Sequence, residues 1–266
     1  MCNIEKSHHE QLSPVLAEFS RIKEVKAIVM AGSRLGKYGD ELSDFDFYIY
    51  SDEEISLKMR TDIAREHASR FEIGTRFYEN TDEWRLKDSG MAVEFIHRRR
   101  SWIEEQIDRV WIKGEASLGY STCFIYNVKN SLIFHDDSEW YKELQKLTMK
   151  KYPDILRENI IKKNAAVLYS KINSPVYKQI EHAVMRKDRV SINHRISVFI
   201  ACYFDIIFAL NRVLHPGEKF LIEYAQDACS VLPALFEENI IKLLSSPDSD
   251  KMMYLDDIVS HLKAVI

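Results

Sequence analysis

Apolar residues recur at helical spacing through residues 9–22, with Leu12, Val15, Leu16, Phe19 and Ile22 on one stripe, so the chain opens on an amphipathic helix. Val25 to Ala31 follows at once as a short β-branched, apolar run of strand length. A polar stretch leads to Asp44-Phe45-Asp46-Phe47-Tyr48-Ile49-Tyr50, where apolar and polar positions alternate as in a half-buried strand. Residues 53–69 read as a helix and Arg70 to Tyr78 as a strand. Ser89-Gly90 is a turn signal before a third alternating run, Met91 to His97, and a helix carrying Trp102, Ile103, Ile107, Val110 and Trp111 comes next. Beyond residue 115 strand signals fade, except for a short edge strand at Ser131 to His135. Helical periodicity then covers 138–150, 153–171, 175–187, 190–214, 218–228, 233–245 and 250–265, punctuated by Pro153, Pro175, Pro216-Gly217 and Pro247. This order predicts an α+β chain: a small mixed sheet with helices packed on it over 1–137, then an all-α helical bundle over 138–266, with the substrate cleft between them.

Composition narrows the class without naming a chemistry. A chain of 266 residues with 46% hydrophobic and 29% charged residues has the make-up of an ordinary globular protein. A net charge of −4 and a pI near 6.2 argue against a general nucleic-acid binder, and mild acidity suits a cationic acceptor. Cys2, Cys123, Cys202 and Cys229 are too far apart for a zinc pair or a disulfide framework and read as reduced thiols. His97, His135, His182 and His194 are too scattered for a metal site. The first ten residues lack the apolar core of a signal peptide, which predicts a cytoplasmic protein. The longest apolar run, Val198 to Leu210, contains Asp205 and is too short for a membrane span, so it reads as a buried core helix.

Candidate chemistry concentrates between residues 32 and 46, Gly-Ser-Arg-Leu-Gly-Lys-Tyr-Gly-Asp-Glu-Leu-Ser-Asp-Phe-Asp. Gly32 and Ser33 stand where the first strand exits, so the backbone can approach a ligand and its amides and hydroxyl can hold phosphate oxygens. Asp44 and Asp46 are two apart on a strand, hence on one face and about 7 Å apart along the chain. Magnesium prefers such carboxylates together with substrate phosphates, so the pattern points to phosphoryl or nucleotidyl transfer. Arg34 and Lys37 add two basic groups on the turn, either as phosphate contacts or as solvated side chains.

The strand, the Gly-Ser pair, the spacer and the Asp-x-Asp strand, Ala31 to Tyr50, resemble the signature of the DNA polymerase β superfamily of nucleotidyltransferases. Within it the chain looks most like bacterial aminoglycoside and lincosamide nucleotidyltransferases and their uncharacterised relatives. The resemblance implies a nucleotidyltransferase domain over 1–137, with Asp44 and Asp46 as Mg2+ ligands and Ser33 with the Gly32 backbone on the triphosphate. It also implies ATP or another NTP as co-substrate and a hydroxyl-bearing acceptor, a small molecule such as an antibiotic, or alternatively a protein or tRNA. The superfamily carries a third acid on a later strand, as general base or shared metal ligand. Glu94, within the strand Met91 to His97, is the candidate, with Glu72 second. A second resemblance, Phe208 to Lys219, implies a phosphate contact from Lys219, with Asn211 and Arg212 nearby. A surface lysine and a helix C-terminal arginine are the structural alternative. Arg98-Arg99-Arg100 reads as a solvated helix start or a phosphate contact, and Glu104, Glu105 and Asp108 as the wet face of a helix. A non-catalytic nucleotide-binding protein on the same fold is the rival from another class.

Overall fold

The computed structural model describes residues 6–35, 37, 44–77, 79–170 and 174–266. The chain forms two compact units, Met1–Ile107 with Asn127–Lys150 and Asp108–Tyr126 with Lys151–Ile266. The units alternate along the sequence, whereas hydrophobic periodicity alone draws one boundary after residue 137.

The first unit runs α1 (Lys6–Ser20), β1 (Val25–Ala31), a 3-10 turn (Ser33–Leu35), β2 (Phe45–Ser51), α2 (Leu57–His67), β3 (Ala68–Thr75), β4 (Thr81–Leu86), β5 (Ala92–Arg99) and α3 (Arg100–Ile107). After α4 (Cys123–Asn130) it resumes with β6 (Leu132–Asp136) and α5 (Trp140–Thr148). The six strands form one sheet in the order β3-β4-β5-β2-β1-β6. Strands β2 and β5 run parallel and the other neighbours antiparallel, so the sheet is mixed, as the element order predicts. One sheet face presents Ile28, Met30, Phe45, Phe47, Trp84, Val93 and Phe95 to Leu12, Val15, Leu16 and Phe19 of α1 and Ala64 of α2. The Phe19 ring lies 5.1 Å from Phe95, which lies 4.7 Å from Trp84. Each such fully buried side chain contributes about 1.5–3 kcal/mol, which holds α1 and α2 on this face. Helix α2 starts on Ser56, whose hydroxyl accepts from the Met59 amide. Such a cap contributes about 1 kcal/mol.

Strand β4 and helix α4 were not expected from periodicity. In β4, Thr81, Trp84 and Leu86 are buried and Glu83 and Arg85 exposed, but Asp82, a charged residue at a core position, is buried as well. Its carboxylate is stabilised by an ion pair with buried Arg60, at 3.2 Å, and by hydrogen bonds with His97, at 2.8 Å, and the Gly74 amide. A charged residue sustained by partners distant in sequence breaks the alternation that marks a strand. Helix α4 is eight residues long, too short to show a full apolar stripe.

The second unit contains a π-helical turn (Asp108–Ile112), then α6 (Asp154–Tyr169), α7 (Val176–Met185), α8 (Arg189–Leu210), α9 (Leu221–Ala228), α10 (Phe236–Ser245) and α11 (Lys251–Lys263). Pro153 and Pro175 stand immediately before α6 and α7, where the chain enters each helix. Helix α8 is long and apolar enough to cross a membrane by length and composition. Its most apolar stretch is 61% buried inside the protein, against α6 and α7 among others. Asp205 on α8 is buried and its carboxylate accepts from the Ser121 amide and hydroxyl and from the Asn164 amide group. Asn164 in turn accepts from the Gly119 amide. This knot joins the segment before α4 to α6 and α8. Burial lifts the Asp205 carboxyl to about 6 despite these donors.

Candidate active site

Strand β1 ends at Ala31, paired with Asp46 on β2, and the chain turns away at Gly32 with φ +86°. A β-carbon at residue 32 would stand 2.0 Å from the Asp46 Oδ2, so the Asp46 carboxylate occupies the space that a side chain there would fill. Glycine is required twice over, by the left-handed backbone and by this close approach. The Ser33–Leu35 turn follows; the side chain of Ser33 lies outside the described residues.

The parallel pairing of β2 with β5 sets Asp46 beside Glu94, and the register continues Glu94 to Glu83 on β4 and Glu83 to Glu72 on β3. Register partners share a sheet face, so Asp46, Glu94, Glu83 and Glu72 form one row of carboxylates across four adjacent strands. The row lies on the face opposite the α1/α2 core, because Phe45, Phe47, Val93 and Phe95 alternate with it and point into that core. Asp44, exposed, immediately precedes β2. Glu94 is half-buried, and burial first, then the Asp46, Glu83 and Asp44 charges, push its carboxyl up to about 7. A carboxyl held there exchanges a proton near neutral pH. Like charges crowded on one face are relieved by a cation, and an all-oxygen set suits a hard one such as Mg2+, so Asp44, Asp46 and Glu94 fit the metal implied by the motif.

A cleft of about 400 Å3 opens beside this row, lined by Asp44, Glu72, Glu83 and Glu94 together with Arg70 and Arg85. Arg70 and Arg85 pair across β3 and β4, two positions from the glutamates, and therefore project from the same face. Sequence reasoning singled out Glu94 and Glu72 but missed Glu83, Arg70 and Arg85 as neighbours of the site. The alternation of Glu83 and Arg85 about Trp84 is the signal that points to them.

The remaining candidates divide clearly. The Arg34 guanidinium lies 4.1 Å above the Phe45 ring, next to the motif, and Lys37 is exposed. Arg98 is buried and bound through two hydrogen bonds of 2.6 Å to Glu79, between the rings of Tyr48 and Trp102. Arg99 pairs with Glu53 and Arg100 with Glu104. The basic run thus serves the fold. In the second unit Lys219 is exposed, and Arg212 is bound to Asp154. The Asn211 side chain donates to the Ile207 and Val231 carbonyls and accepts from the Val231 amide. These bonds close the end of α8 and hold the loop at residue 231.

A six-stranded mixed sheet with an acidic row, followed by helices, defines the class as an α+β protein. A family model described as a domain of unknown function, DUF4037, matches residues 120–221. Among solved structures, the chain is similar to a nucleotidyltransferase-like protein from Exiguobacterium sibiricum 255-15, with 10% identity over 96% of this chain and 74% of that one and a TM-score of 0.47. It is also similar to the spectinomycin adenyltransferase AAD(9) from Enterococcus faecialis, solved with ATP and spectinomycin, with 12% identity over 96% of this chain and 97% of that one and a TM-score of 0.33. No curated protein matches the chain.

Proposed function

We propose that this protein is a magnesium-dependent nucleotidyltransferase that moves a nucleoside monophosphate, most simply AMP from ATP, onto a hydroxyl of a small polar acceptor and releases pyrophosphate. The observation that carries the reading is the close fit of Asp46 over Gly32 at the Gly-Ser turn, with Glu94 beside Asp46 in register on the next strand. The Gly-Ser turn is thereby brought against two carboxylates from separate parts of the chain, which supports a phosphate cradle beside a metal. Asp44 and Asp46 hold the metal, with Glu94 as third acid. The bound metal supplies charge neutralisation on the triphosphate and orients it. The Gly32 backbone and Ser33 hold phosphate oxygens at the turn, with Arg34 and Lys37 as further phosphate contacts. Glu94 accepts the acceptor's hydroxyl proton as that oxygen bonds the α-phosphorus and the bond to the pyrophosphate oxygen breaks. The polar cleft beside Glu94, with Glu72, Glu83, Arg70 and Arg85 on its walls, suits a hydrophilic acceptor such as an aminoglycoside or lincosamide.

Incubation with α-labelled ATP, Mg2+ and a panel of aminoglycosides, spectinomycin, lincosamides, tRNA and protein extract tests this. Labelled small-molecule product is expected, falling by at least about 100-fold in Asp46→Asn, because the lost group acts on charge that develops in the transition state. Label in tRNA or protein instead would retain the chemistry and replace the acceptor. Absence of transfer to any acceptor, with ATP affinity unchanged in Asp44→Ala, would overturn the reading in favour of a nucleotide-binding protein.

A further inference from the structure

On the opposite side of the sheet from the carboxylate row, three side chains of mixed donor type converge. Glu18 lies in the last turn of α1, and Glu66 and His67 end α2. One ligand atom from each of the three lies within 4.8 Å of those of the other two. The Nε2 of His67 is already 2.7 Å from the Glu18 Oε1, with the two side chains 17% and 27% exposed, so this half of the cluster is shielded and its geometry set by packing. Glu66 is exposed and leaves a path from solvent.

We propose that Glu18, Glu66 and His67 bind a transition-metal dication, zinc above all, which would tie the C-terminal end of α1 to that of α2. Ligand atoms about 2.0–2.2 Å from one zinc stand about 3.4 Å apart, so rotations of the glutamate side chains close the set around an ion without moving either helix. The donors choose the metal: an imidazole with two carboxylates suits zinc and its neighbours, whereas the all-carboxylate group of Asp44, Asp46 and Glu94 suits magnesium. The location favours a cation as well, because the carbonyl ends of two helices meet there. Lys87 answers to the same field, its ammonium donating to the Arg65 and Glu66 carbonyls at the end of α2. That ammonium is the nearby positive charge the ion must tolerate, and it is held by backbone carbonyls, leaving the Glu66 carboxylate to the metal. Three protein ligands leave a coordination position for water.

Titration of the full-length protein with Zn2+ against a chromogenic chelator, and with Co2+ read by its visible absorption, tests the site. We expect one equivalent of zinc bound and a rise in melting temperature with zinc, both retained in Asp44→Asn/Asp46→Asn. Affinity should fall at least 10-fold in His67→Ala and in Glu66→Gln. The latter substitution is on an exposed side chain and leaves the Glu18–His67 contact in place, so it reports on the metal even if His67→Ala folds poorly. Zinc uptake that Glu66→Gln and His67→Ala leave unchanged, uptake abolished by Asp44→Asn/Asp46→Asn, or no uptake at micromolar zinc would overturn the proposal and leave Glu18–His67 as an ion pair between helices. None of these results bears on nucleotide transfer.

Discussion

At the scale of single residues, Gly32 and Asp46 form one unit. With φ +86° and a β-carbon that would fall 2.0 Å from the Asp46 Oδ2, residue 32 cannot carry a side chain unless the carboxylate moves. Gly32→Ala should therefore separate stability from activity. The left-handed conformation costs an L-residue about 1–2 kcal/mol, so the variant should fold with a modest loss read by chemical denaturation. Under the proposed function, displacing Asp46 should lower nucleotide transfer by at least about 100-fold, the same loss expected on removing the carboxylate. An unchanged rate in Gly32→Ala would show that the Asp46 position is immaterial. The placing of Asp46 on the face opposite Phe45 and Phe47 was legible because strand alternation is local and needs no tertiary information, whereas Asp44 stands just before β2. The roles of Arg98 and Asn211 were not, because each is decided by partners elsewhere: Glu79 and two aromatic rings for Arg98, and the loop at residue 231 for Asn211.

At the scale of elements, β4 shows why the sheet was only partly readable. Strands β1, β2, β5 and the edge strand β6 announce themselves through apolar runs or alternation, and each falls within two residues of its expected limits. Strand β4 carries Asp82 on its buried face, sustained by Arg60 of α2 and His97 of β5, and composition alone gives no hint of such partners. The same strand supplies Glu83 and Arg85, so the missed element is also the missed wall of the cleft. Burial pushes the Arg60 guanidinium and the His97 imidazole down from their ordinary ranges, while the Asp82 charge opposes the fall in both. Asp82→Ala leaves the Arg60 charge buried with only Asn80 as its side-chain hydrogen-bond acceptor among the described residues. Breaking one partner out of a buried pair costs about 3–5 kcal/mol, and a denaturation midpoint shift of that size is expected. Because the two side chains act as a pair, Arg60→Met/Asp82→Ala should lose less than the sum of the single variants. Additive losses would show that the ion pair does not hold β4 to α2.

At the scale of the whole molecule, helices and strands were legible as classes, but their grouping was not. The segment Asp108–Tyr126 leaves the sheet unit and joins the helices that begin after residue 150, a detour that hydrophobic periodicity cannot register because it is recorded in contacts with residues far along the chain: Trp111 packs on Tyr152, and buried polar groups meet. The polar contacts centre on Asp205, which gathers the Ser121 amide and hydroxyl and the Asn164 amide group inside the helical unit. The Asp205 carboxyl, lifted by burial from 3.8 to about 6, binds its proton more tightly folded than unfolded. Its contribution to stability is therefore fully present below about pH 4 and is lost as the pH rises through about 6. At about 1.4 kcal/mol for each pH unit of displacement, the loss is about 3 kcal/mol. Asp205→Asn removes the titration but turns an amide donor toward the Asn164 amide group, which cannot rotate away because its oxygen accepts from Gly119. The variant should be less stable than the parent throughout, with the gap narrowing by about 3 kcal/mol as the pH rises from 4 to 7. A gap independent of pH across that window would show that Asp205 is not the titrating group.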